Sequence, residues 1–103
     1  MNWFGVKLLF TALIDGDVPQ DALVEESIRV VQGRDVEHAT ERAAQFGRAS
    51  GHNYRNETGQ SVEWAFVRVL EVQDLCEDAL ADGAEVFSTM RRVSPDDALS
   101  VGE

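Results

Sequence analysis

The chain has 103 residues, 44% of them apolar and 27% charged, with a net charge of -10. Length predicts one domain, and composition excludes a disordered chain. Nineteen acidic against nine basic residues argue against nucleic acid, which is held by Lys and Arg, and against an anionic membrane surface.

Eight of the nine basic residues are Arg, and Cys76 is the lone cysteine. A single cysteine supports neither an internal disulfide framework nor a cysteine zinc site. The first residues lack a basic region and a small-residue cleavage motif. No apolar run approaches the roughly 20 residues of a membrane span. The expectation is a soluble cytoplasmic protein.

Trp3 to Ile14 reads as a strand. Phe4, Val6, Leu8, Phe10, Ala12 and Ile14 recur at period two. The other face holds Trp3, Lys7, Leu9, Thr11 and Leu13 and is also largely apolar. A strand oily on both faces is expected at the sheet centre, with something covering its second face.

Asp15 to Pro19 carries turn chemistry. Ala22 to Gln32 follows as a second strand, antiparallel to the first, with Val24, Ile28 and Val30 on one side. Asp35 is an expected N-cap. Val36, Ala39, Ala43 and Phe46 repeat at helical spacing, and Gly47 is the expected stop.

His52–Asn56 and Gln60–Val72 flank Glu57, Thr58 and Gly59 as a second hairpin. With the turn centred on Thr58 and Gly59, Tyr54 falls opposite Glu63 and Arg55 opposite Val62. Strict alternation sets Val62, Trp64, Phe66, Leu70 and Val72 on one face, interrupted by Arg68, and Ala65, Val67 and Val69 on the other. Gln73 to Ala81 is expected to form one or two helical turns, and Ala84 to Val93 a last strand. The expected fold is α+β: one domain over residues 1–93, order β-β-α-β-β-β. Its sheet has four or five mostly antiparallel strands, with one main helix on one face. Residues 94–103 are expected to be a flexible tail.

The start Trp3-Phe4-x-x-Lys7-x-Leu9 and the segment Glu25-Glu26-Ser27-Ile28 form a pattern with paired Ala39 and Ala43. Tyr54-x-Asn56-x-x-Gly59, Val62-x-Trp64-x-Phe66-x-x-Val69 and Asp82-Gly83-Ala84-Glu85-Val86-Phe87-Ser88 continue it. In order and spacing these resemble a family of small bacterial proteins catalogued as a domain of unknown function. The resemblance covers roughly residues 3 to 90, supports the order of elements, and implies no activity, cofactor or catalytic residue.

The candidate sites follow from residue chemistry. Asp15, Asp17, Asp21 and Glu26 have the length of a calcium loop, but Pro19 offers no side-chain oxygen, and Gln20 stands where the loop needs glycine. His38 and His52 lack a second His or Cys at ligand spacing. Cys76 lies among Asp74, Glu77 and Asp78, which repel the negative charge of a thiolate. No catalytic, cofactor-binding or metal residue is assigned.

The candidate interaction surface combines Trp3, Leu9 and Leu13 with Tyr54, Glu63 and Trp64 and the acidic Asp74, Glu77 and Asp78. Val67 and Val69 would extend the apolar part. The expected function is a non-enzymatic interaction module, either a homodimer or a binder of a basic protein. The alternatives are an accessory subunit of a larger complex and a small-molecule binder with a cleft near Tyr54, Glu63 and Trp64.

Overall fold

The computed structural model describes residues 1–76 and 79–100. The elements are β1 (Asn2–Ile14), β2 (Val24–Gly33), α1 (Val36–Ala49), β3 (His52–Arg55), β4 (Ser61–Asp74) and α2 (Pro95–Ser100). The four strands form one antiparallel sheet in the order β2-β1-β4-β3. It is a small α+β fold with β1 at its centre.

Period-two alternation decides which face of β1 is sealed. Phe4, Val6, Leu8 and Phe10 are buried and form the core with Val31, Ala39 and Ala43. Trp64, Phe66, Val69 and Val72 of β4 pack against them. α1 lies on this inner face and contacts β1, β2 and β4. Its buried residues, Ala39, Ala43 and Gly47, are all small, which lets the helix axis approach the sheet closely.

The Asp35 side chain caps α1, accepting a hydrogen bond of 2.8 Å from the His38 N–H. The expected stop at Gly47 is corrected: α1 runs on to Ala49 and is capped by Ser50. Gly47 is small because the Phe66 ring lies against it.

β1 turns at Asp15 and Gly16, with φ of 50° and 87°. Two positive φ values make the tight turn whose twist matches paired strands. The Ile14 N–H donates to the Asp17 C=O, and the Asp17 N–H to the Ile14 C=O, at 2.8 and 3.1 Å.

Three sequence expectations are corrected. First, β3 pairs with β4 one residue out of the expected register, with Tyr54 opposite Val62 and Arg55 opposite Ser61. The connection is a three-residue loop in which Asn56 faces Gln60 and Gly59 takes φ 83°. Second, two bulges interrupt β4, because Leu8 pairs Val69 where Lys7 pairs Glu71, and Phe10 pairs Phe66 where Leu9 pairs Arg68. Leu70 and Val67 are the extra residues. The inner-face series is therefore Val62, Trp64, Phe66, Val69, Val72. Val69 belongs to the core and Arg68 to the outer face.

Third, Ala84–Val93 forms no strand, so the order ends β-α after the third strand and the sheet has four strands. This segment pairs with no strand of its own chain: its first half lies across the outer face and its second half is exposed. The helical turn expected over Gln73–Ala81 is absent at the described positions, since Gln73 and Asp74 continue β4. Glu77 and Asp78 lie outside the described residues.

Candidate functional site

In an antiparallel pair, opposed residues share a face. Trp3, Leu9 and Leu13 therefore sit on the outer face with Glu63, which opposes Leu13. Val24 and Ile28 join them from β2, opposite Thr11 and Lys7. Val24 and Ile28 are about half exposed.

The segment after β4 covers one end of this face. Gly5 permits it, because a Cβ there would come within 1.7 Å of the Val86 carbonyl oxygen. The Leu75 N–H donates to the Trp3 carbonyl at 3.0 Å. The Gln73 side chain clamps Ser88, donating from Nε2 to its carbonyl at 2.6 Å and accepting from its N–H at 3.2 Å. The Lys7 ammonium lies 4.8 Å from the centre of the Phe87 ring and pairs with Glu26 at 3.4 Å. The cover over the Trp3 to Lys7 end is thus the chain itself. At the other end, Leu9 and Leu13 remain half-buried.

Tyr54 and Trp64 lie on the inner face, Tyr54 opposite Val62 and Trp64 opposite Ala12, and Glu63 lies on the outer. Tyr54 is half exposed, and its ring stacks on His52 at 6.2 Å. A shallow depression of about 350 Å³ opens near the end of α1, lined by Arg48, His52, Asn53, Glu63, Trp64 and Phe66 among others. Tyr54 does not line it. Sequence analysis missed Arg48, which is exposed and carries no ion pair among the described residues. Its signal was its place in the last turn of α1, four residues before His52.

The polar candidates are spent locally. Asp15 accepts from the Ser61 N–H at 2.9 Å and so ties the first turn to β4. The His38 Nδ1 accepts from the Arg34 N–H at 3.0 Å. Asp74 accepts from the N–H of the exposed Cys76 at 2.8 Å. The Ser50 hydroxyl donates to the Phe46 carbonyl, and the Thr40 hydroxyl to that of Val36. Among the described residues no group of three or more His, Cys, Asp or Glu could hold a metal, and no helix is long and apolar enough to cross a membrane.

Beyond Ser88 the chain leaves the body. Thr89 to Leu99 are all exposed, with Met90 at 96% and Leu99 at 87%. The radius of gyration is 17.3 Å, against about 13 Å for a closed domain of this length. The accessible surface is 7480 Å², against roughly 5,800 Å² for a closed monomer of this mass.

In comparison with known protein families, the model described as Domain of unknown function (DUF4288) matches residues 3–88. No curated protein and no solved structure matches the chain.

Proposed function

The chain belongs to the DUF4288 family, which carries no activity to transfer, and from that premise we propose that it is a non-enzymatic protein-interaction module. It binds a second copy of itself or a basic protein. The observation that carries this reading is the arm after Ser88, which holds Met90 and Leu99 almost wholly in water. Exposed apolar side chains of that size gain most by burial against another protein. The half-exposed Val24 and Ile28 on the open side of the sheet support the same reading. The charge of -10 favours basic surfaces on whatever the body meets.

A pull-down from native lysate, with a tagged and an untagged copy co-expressed, tests it. Capture of the untagged copy, or of one stoichiometric protein, is the expected result. Recovery of the tagged chain alone defeats the proposal.

A small-ligand site is the second reading, favoured by the depression that brings Arg48, His52 and Glu63 beside Trp64. Quenching of Trp64 fluorescence in a Trp3→Phe background, across a library of small carboxylates and amines and lost on adding Arg48→Ala, would support it. A flat response would remove it.

A further inference from the structure

The molecule holds a sheet edge without a neighbour and an exposed segment of strand-like composition without a sheet. β2 is the edge next to β1. The Leu23 carbonyl is taken by the Ala12 N–H of β1. Alternation along the strand then turns the backbone groups of Val24, Glu26, Ile28 and Val30 away from β1. The next outward carbonyl, that of Gln32, is closed by the Arg42 guanidinium at 2.7 Å. Four outward residues remain as an open ladder, the feature that recruits another strand.

The unpaired segment is Thr89–Val93, which is exposed along its length, from Met90 at 96% to Val93 at 42%, and pairs with nothing in the sheet. Its sequence carries Arg91 and Arg92 side by side, two of the chain's nine basic residues. The open edge carries Glu25 and Glu26 side by side. Adjacent residues of a strand point to opposite faces, so each strand offers one charge per face. The antiparallel register that sets Arg91 against Glu26 and Arg92 against Glu25 also sets Val93 against the half-exposed Val24.

The geometry points to reciprocal exchange between two copies: the Thr89–Val93 arm of each adds a fifth strand to the β2 edge of the other. This rests on the protein-interaction reading and names its partner and contact. The arm's exposed Met90 and the surplus of accessible surface are then features of one half of a dimer. The opposed charges give the pairing its register and its preference for a second copy.

Three full-length proteins test it by sedimentation velocity across a dilution series: the wild type, R91E/R92E, and E25K/E26K. The substitutions fall at exposed positions; E26K also removes the ion pair to Lys7, and circular dichroism checks that the fold is kept in both variants. The wild type is expected at the mass of two chains. Each double variant sets like charges together and should dissociate at concentrations about tenfold or more above the wild type. An equimolar mixture of the two variants should recover the two-chain mass, because each arm then meets an edge of opposite charge. A wild type of one-chain mass throughout overturns the proposal. So does a dimer that survives both double variants, or a mixture that stays dissociated. A dimer that ignores the charge changes leaves the protein-interaction reading standing with another surface. A single chain that also captures nothing from lysate defeats both.

Discussion

Gly47 and Phe66 occupy each other's space: a Cβ on Gly47 would come within 2.4 Å of the Phe66 ring. The ring cannot swing away freely, because it meets Phe10 edge-on at 5.8 Å between centroids. In a helix interior, Gly→Ala ordinarily stabilises by about 0.5–1 kcal/mol. Here overpacking outweighs that gain, and Gly47→Ala should destabilise by about 1–3 kcal/mol in urea unfolding. Adding Phe66→Leu should return part of the loss. A stabilised single variant would mean that α1 does not rest on the β4 ring.

Gly5→Ala acts on the other face. The added methyl meets the Val86 carbonyl, so the covering segment must lift while the inner core stays whole. Hydrogen exchange at the Ser88 amide, held by Gln73, should accelerate by about tenfold or more, as expected of a locally opened segment. Amides of β1 that bond to β2 should keep their protection. Unchanged exchange at Ser88 would show that the segment does not lie on Gly5.

Leu8 is wholly buried in the inner core. Leu8→Ala should cost about 2–5 kcal/mol through lost transfer energy and a residual cavity. Leu9→Ala, one residue on and half-buried on the outer face, should cost clearly less. Equal losses would mean that both faces of β1 are sealed alike.

Asp35→Ala removes the acceptor for the His38 N–H and should cost about 1 kcal/mol. Asp35→Ser should retain most of the stability, since its hydroxyl can accept the same bond. Thermal unfolding of the three proteins decides between a cap and a bystander.

Period two was enough to find β1 and its buried face, because a central strand repeats its pattern without interruption. Asp35 announced α1 through the chemistry of its own side chain. β4 defied the same method: Val69 is inward only because Val67 is an extra residue, and a bulge leaves no mark in composition. Gly47 misled for a related reason. A glycine near a helix end reads as a stop, yet its smallness answers Phe66, nineteen residues further on. The Tyr54 pairing slipped by one because the loop length rests on Gly59 adopting positive φ, which sequence permits without requiring. Ala84–Val93 has a strand's composition, but composition does not say whether a segment will pair, and within its own chain this one crosses the outer face instead. The candidate surface was legible as a set of residues and not as a place. Trp3, Leu9, Leu13 and Glu63 share the outer face, whereas Tyr54 and Trp64 lie on the inner.

The bulges give β4 slack. In a regular strand, losing one residue turns every later side chain to the wrong face. Removing Val67 would instead leave Phe66 inward, Arg68 outward and Val69 inward, and removing Leu70 would do the same one step on. These two positions are where the chain can shorten without inverting its core, so single-residue deletions within the family should gather there and spare the uninterrupted alternation of β1.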